Sequence, residues 1–219
     1  MRRVGKPWRR RDPDARYDAI VVGSGIGGLA AAALLARHGG RRVLVLERHY
    51  MVGGFTHVFL RAGYEWDVGL HYIGGVQHER SRTRRLFDHV TAGRLEWASM
   101  GDVYDRIVLG DRVFDLVAGP ARFRERLKEY FPREAAGIDR YVETLGRVAR
   151  WSGLYFAEKA VPAALSAVAG PLFRAPFLRY ARQTTLDAIA GFTRDPDLAA
   201  VLTGQCGDHG LPPGRSSFA

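Results

Sequence analysis

Residues Tyr17 to Glu47 read YDAIVVGSGIGGLAAAALLARHGGRRVLVLE. The short apolar run Ala19 to Val22 predicts a buried parallel strand. It leads directly into Gly23-Ser24-Gly25-Ile26-Gly27-Gly28, with a G-x-G-x-x-G pattern at Gly23, Gly25 and Gly28. Gly23 permits the tight turn off the strand, Gly25 leaves the backbone open to close approach, and Gly28 lets the next helix pack near the sheet. Leu29 to Arg37 supplies strong helix formers, and Gly39-Gly40 ends the helix. Val43 to Leu46 predicts the second strand, closed by Glu47. The helix start offers free N–H groups and a positive dipole end, which is what a pyrophosphate requires. Glu47 lies nineteen residues after Gly28, the spacing of a carboxylate that accepts hydrogen bonds from an adenosine ribose. Strand, turn, helix and acid together predict a dinucleotide-binding βαβ unit, where a ligand-free glycine turn would explain only the glycines. A secretory signal is disfavoured because Asp12, Asp14 and Asp18 interrupt the approach and the stretch is rich in glycine.

The residues after Glu47 bear on which dinucleotide binds. Arg48-His49-Tyr50-Met51-Val52-Gly53-Gly54-Phe55-Thr56 places a glycine pair six residues past the acid. Such a pair lets the chain fold back over the pyrophosphate and add backbone N–H groups to an anion nest. A simple NAD dehydrogenase needs no second loop, and the Glu47 charge would repel a 2′-phosphate. FAD is therefore the expected cofactor.

The segment Tyr17 to Gly75, whose second half is GGFTHVFLRAGYEWDVGLHYIGG, resembles the N-terminal FAD module of the retinol saturase, carotenoid isomerase and phytoene desaturase flavoproteins. Gly53-Gly54-Phe55-Thr56-His57, Gly63 to Gly69 and His71-Tyr72 are nearest the retinol saturase branch. The likeness weakens through the middle of the chain and returns at Gly207 to Pro213. It implies an FAD-dependent oxidoreductase that saturates, desaturates or isomerises a conjugated bond of an apolar polyene, a retinoid or carotenoid. NAD(P) is then an electron donor in the full-length parent. The cofactor-binding set is Gly23, Ser24, Gly25, Ile26, Gly27, Gly28, Glu47, Arg48, Gly53, Gly54, Phe55 and Thr56, with Asp67 and Gly69 near the flavin by resemblance. His71 is the one candidate proton donor, against the plainer reading of a loop histidine.

Composition narrows the rest. The chain has 219 residues, 47% hydrophobic and 11% aromatic, enough for a globular core. Its net charge of +10 is nearly all arginine, and only Lys6, Lys128 and Lys159 are lysines. No helix-turn-helix or RNA-binding signature accompanies that charge, so no nucleic-acid partner is expected. Cys206 is the only cysteine, which excludes internal disulfides and the two-thiol disulfide reductases; it reads as a small buried residue. The seven histidines form no ligand spacing, so no metal is expected.

Three regions are expected. Residues 1–16 read as a basic flexible tail containing Arg2, Arg3, Lys6, Trp8, Arg9, Arg10 and Arg11, solvated or resting on an anionic membrane. Residues 17–101 are the N-terminal part of the FAD-binding domain, with a charged helix over 79–97 whose stripe is Leu86, Phe87 and Val90. Residues 102–219 begin a mostly helical substrate-binding cap. Within it, Tyr104 to Val117 predicts a hairpin turning at Gly110-Asp111, and Pro120 to Tyr130 and Arg133 to Trp151 predict amphipathic helices. Thr184 to Leu202 predicts a further helix with a turn at Asp195-Pro196-Asp197. Val161 to Phe173 is apolar but too short to span a bilayer, and Pro162, Pro171 and Pro176 are expected to break it. Burial is preferred for this run over lipid insertion or a tunnel wall. The expected location is the cytoplasm, with or without membrane association.

The fold class is thus α/β: a Rossmann-like βαβ unit, then a mostly helical region with a β-hairpin. Two parallel strands are fewer than a doubly wound fold needs, so the fold reads as incomplete and the chain as the N-terminal part of a longer flavoenzyme. Such a piece is expected to expose apolar surface and to bind FAD poorly. Two other functions remain open: an amine oxidase or protoporphyrinogen oxidase relative sharing the FAD module, and a non-catalytic remnant.

Overall fold

The computed structural model describes residues 5–7 and 16–219, apart from the His209 side chain. The readings placed on Arg2, Arg3, Trp8 and Arg9 to Arg11 lie outside the described residues. The chain divides into two compact units, Met1–Ser99 and Met100–Ala219.

The first unit opens with β1 (Ala19–Val22), α1 (Ile26–Gly39) and β2 (Val43–Leu46). β1 and β2 are parallel, with Ala19 opposite Val43 and Val22 opposite Leu46. Asp18 sets the start of this register: its carboxylate accepts the Arg42 N–H at 2.8 Å, and its own N–H donates to the Arg42 carbonyl. α1 ends where Gly40 turns left-handed and its N–H returns to the Leu35 carbonyl. β1 is not the fully buried strand its apolar run predicts. Side chains alternate across a strand, and here Val22 is 85% exposed while Val21 faces inward.

A hairpin absent from the sequence reading follows. β3 (Val58–Arg61) pairs with β4 (Tyr64–Asp67) around Ala62-Gly63, and both turn residues have positive φ, 52° and 83°. That is the geometry of a two-residue turn matched to strand twist. The charged helix is shorter than expected, α2 (Arg82–Thr91). Ser81 caps it by accepting the Arg84 N–H, and Ala92 and Gly93 end it in left-handed geometry. Phe87 and Val90 are half-buried, but Leu86 points outward, so the expected stripe is narrower by one residue.

In the second unit β5 (Val103–Leu109) and β6 (Arg112–Val117) form the expected hairpin about Gly110-Asp111. A register shift between Val103 and Asp105 coincides with the one break in the alternation along β5, where Tyr104 and Asp105 are both half-buried. α3 (Pro120–Tyr130) packs on β6, and α4 (Ala135–Glu158) runs seven residues past the expected Trp151. Phe114, Leu116, Leu127, Phe131, Ile138 and Leu198 are the centre of the core, with the Phe114 and Phe131 rings stacked at 5.3 Å. Tyr141, Val142 and Val201 close it.

α5 (Ala163–Ala181) corrects the broken-run expectation, because one helix continues through both Pro171 and Pro176. It packs along α4 through buried Gly170 and Phe177, and pairing with a long neighbour compensates for the hydrogen bonds the prolines remove. The preference for burial fails on the opposite face, where Leu165, Val168 and Leu172 are 62%, 85% and 77% exposed. The expected last helix is two, α6 (Thr185–Ala190) and α7 (Pro196–Thr203). Asp195 caps α7 by accepting the Asp197 and Leu198 N–H groups, and Pro196 takes the first helical position. Cys206 is half-buried.

Ile138 has no solvent exposure, whereas Leu172 is largely exposed. Ile138→Ala is expected to destabilise the chain by about 2 to 5 kcal/mol in urea denaturation, and Leu172→Ala by less than about 0.5 kcal/mol. Equal losses would show that the core does not centre on Ile138.

Candidate dinucleotide site

The site is built where β1 ends. Gly23, at φ 97°, turns the chain, and Gly25 stands immediately before α1. A Cβ on Gly28 would sit 2.2 Å from the Gly23 carbonyl oxygen, so only glycine lets α1 lie this close to the turn. A Cβ on Gly25 or Gly27 would meet nothing within 4 Å. The N-terminus of α1 therefore opens onto free space. Its first intrahelical acceptor, the Gly25 carbonyl, takes the Leu29 N–H, which leaves the N–H groups of Ile26, Gly27 and Gly28 for a ligand. No acid stands in the first turn to compete with an anion.

Glu47 turns back onto the glycine-rich turn. Its Oε2 accepts the Ser24 N–H at 2.8 Å and the Ser24 hydroxyl at 2.6 Å, and its Oε1 accepts the His49 N–H at 2.8 Å. These donors, the Ser24 hydroxyl first, hold the carboxyl down at about 2 against an ordinary 4.5. Ser24 is buried, and its Oγ in turn accepts the Gly53 N–H at 3.0 Å. One hydroxyl thus joins the acid to the glycine pair.

That pair folds over the turn as the sequence predicts. Gly54, at φ 58°, brings its backbone so near that a Cβ would lie 2.9 Å from Gly25 Cα. Gly54–Thr56 makes a short 3-10 turn, closed by the Thr56 hydroxyl donating to the Gly53 carbonyl at 2.7 Å. Phe55 is exposed, with one ring edge against Gly69, where a Cβ would meet Phe55 Cδ1 at 2.7 Å. Gly23 to Gly28, Glu47, Gly53 to Thr56 and Gly69 therefore come together. Arg48, Asp67 and His71 are exposed, and no side-chain hydrogen bond joins them to the Glu47–Ser24–Gly53 network among the described residues. The His49 N–H was not anticipated in the site, since a backbone donor leaves no trace in residue type. Among the described residues no cluster of three or more His, Cys, Asp or Glu could hold a metal.

Fold and turn define a Rossmann-like dinucleotide-binding domain, and residues 21–90 match the family model of the NAD(P)-binding Rossmann-like domain. Nearly the whole chain is also similar to larger proteins. It is 37% identical over 213 residues to the all-trans-retinol 13,14-reductase of Danio rerio and 38% over 212 residues to that of Rattus norvegicus, covering 92% and 93% of this chain. It is 30% identical over 203 residues, 87% of the chain, to prolycopene isomerase 1, chloroplastic, of an Oncidium hybrid cultivar. The chain is thus similar to retinol reductases and a prolycopene isomerase over most of its own length. It spans about a third of the length of these relatives, 34%, 34% and 33% respectively.

The depressed Glu47 carboxyl gives the clasp a pH signature. Because its folded-state value lies below the unfolded one, the stabilisation is complete above the unfolded value and is lost as pH falls from about 4.5 toward 2. Urea midpoints followed over this range are expected to fall less steeply for Glu47→Gln than for the parent chain. Parallel curves would show that Glu47 is not held by these donors.

Proposed function

We propose that the chain supplies the FAD-binding part of a flavin-dependent oxidoreductase acting on a polyene lipid, a retinoid or carotenoid. The observation that carries the reading is the second glycine loop: Gly53-Gly54 seated on Gly25 and tied through Ser24 to Glu47. A simple NAD fold has no need of this cover, whereas a bound flavin nucleotide benefits from extra N–H groups over its pyrophosphate. The names of the relatives, a retinol reductase and a prolycopene isomerase, support a conjugated apolar substrate.

Bound FAD would supply the electron transfer, and the protein binding, orientation and a dry pocket. In this reading the N–H groups of Ile26, Gly27 and Gly28 hold the pyrophosphate and Glu47 takes a ribose hydroxyl. The two Ser24 donors occupy Oε2, so Oε1, which carries the His49 N–H, is the atom that would take that hydroxyl. Arg48, Phe55 and Thr56 flank the cover, Asp67 and Gly69 stand toward the flavin, and His71 is the candidate proton donor. NAD(P) serves as the distant reductant. Polyenes dissolve in bilayers, so the reading includes a cytoplasmic protein that touches a membrane peripherally. No described helix is long and apolar enough to cross one.

Titrating FAD with the chain is expected to quench flavin fluorescence weakly but saturably, with ADP competing. Gly25→Asp should weaken this at least about tenfold, by placing a carboxylate against the pyrophosphate. Equal quenching by parent and variant, or displacement of FAD by a lower concentration of NAD than of ADP, would overturn the flavin assignment.

A further inference from the structure

The outward face of α5 changes character along its length. Leu165, Val168 and Leu172 recur at helical spacing opposite buried Gly170 and Phe177, and all three are mostly exposed. Two turns past Leu172, Arg179 lies exposed on the same side, and Arg182 is exposed at the C-cap that ends the helix. α5 contains no acidic residue. Beside its last turns lies an open pocket of about 600 Å3 lined by Tyr155, Lys159, Arg174, Arg179 and Arg182. Lys159 rests over the Tyr155 ring at 5.0 Å. One buried carboxylate, Glu158, faces these cations, 3.5 Å from Lys159 Nζ and 4.0 Å from Arg174 Nη1. Arg179 and Arg182 have no ion-pair partner among the described residues.

An apolar ridge continuous with unpaired cations fits one chemistry well. Acyl chains cover the ridge while lipid phosphates meet the arginines. A protein partner would need acidic groups matched to each guanidinium, whereas an anionic lipid surface supplies negative charge wherever the arginines fall. The prolines fit a helix lying in the interface, where water reaches the carbonyls that Pro171 and Pro176 leave free, and not one crossing the hydrocarbon. We propose that the α5 face formed by Leu165, Val168, Leu172, Arg179 and Arg182 docks the protein on an anionic phospholipid membrane. This deepens the membrane contact of the proposed function and rests on that reading only for its purpose, since neither the ridge nor the pocket involves the dinucleotide site.

The test is flotation of the chain with phosphatidylcholine vesicles that contain or lack phosphatidylserine. Binding is expected only with phosphatidylserine, and to weaken with salt. Arg179→Glu with Arg182→Glu should lower vesicle affinity at least about twentyfold, from about fivefold per basic residue at the surface. Val168→Asp with Leu172→Asp should lower it about tenfold or more. These positions are exposed, so helicity by circular dichroism should be unchanged, and FAD titration should match the parent in both variants. Full binding by Val168→Asp/Leu172→Asp would reduce the effect to nonspecific adsorption and overturn the proposal. So would no binding to phosphatidylserine vesicles, or self-association of the parent that this variant abolishes, which would make the face a contact between copies, or vesicle binding by the chain that the full-length protein lacks, which would make it a contact with the rest of that protein. Lost vesicle binding with FAD binding retained would remove only the α5 surface; the reverse would remove only the flavin reading.

Discussion

Glu47 holds three donors at once, and the dinucleotide end of the first unit depends on that arrangement. A carboxylate at the end of β2 lies naturally beside the turn that leaves β1, because the two strands are parallel and in register. Ser24 converts this neighbourhood into a junction. Its hydroxyl donates to the acid and accepts from Gly53, so its one proton and one lone pair are both used where water is excluded. A hydroxyl engaged on both sides fixes two loops relative to each other, which neither hydrogen bond does alone. The fold-back of Gly53-Gly54 follows, and with it the close approach to Gly25 that leaves no room for a side chain.

This arrangement has a consequence for ligand recognition. The acid is already in use, so loop and turn are coupled in a network preorganised without a nucleotide. A change at Glu47 is passed to Gly53 through Ser24, because one hydroxyl carries both hydrogen bonds. The open space beside Gly25 and Gly27 matches that role, since α1 presents N–H groups there with no competing acid.

The second unit shows a different balance. Its core is an aromatic and aliphatic cluster in which Phe114 stacks on Phe131 and meets the Tyr130 edge, with α4 closing over it through Ile138 and Tyr141. Desolvation pushes the Tyr141 hydroxyl up to about 12, as expected of a phenol held inside such a cluster. α5 adds little to that core. It uses Gly170 and Phe177 to dock on α4 and turns its larger aliphatic residues outward. A helix built this way is stable only because one side is anchored, and the other side is free to serve as a surface.

The sequence by itself determined the βαβ unit, the Gly110-Asp111 hairpin, α3 and the caps. Each depends on local rules: the backbone freedom of Gly40, the capping oxygen of Asp195, the preset φ of Pro120 and Pro196, and the 3.6 spacing of Ile138, Tyr141 and Val142. It also carried the composition of the dinucleotide site, because glycines required by close approach have no substitute. Only the tertiary structure decided three things. Ser24 became the junction because strands placed far apart in sequence put Glu47 and Gly53 on either side of it. α5 ran through two prolines because its neighbour α4 supplies the packing that local propensity lacks. The direction of Leu165, Val168 and Leu172 was settled by which face docks on α4, and a run that is apolar on nearly every side holds no record of that choice.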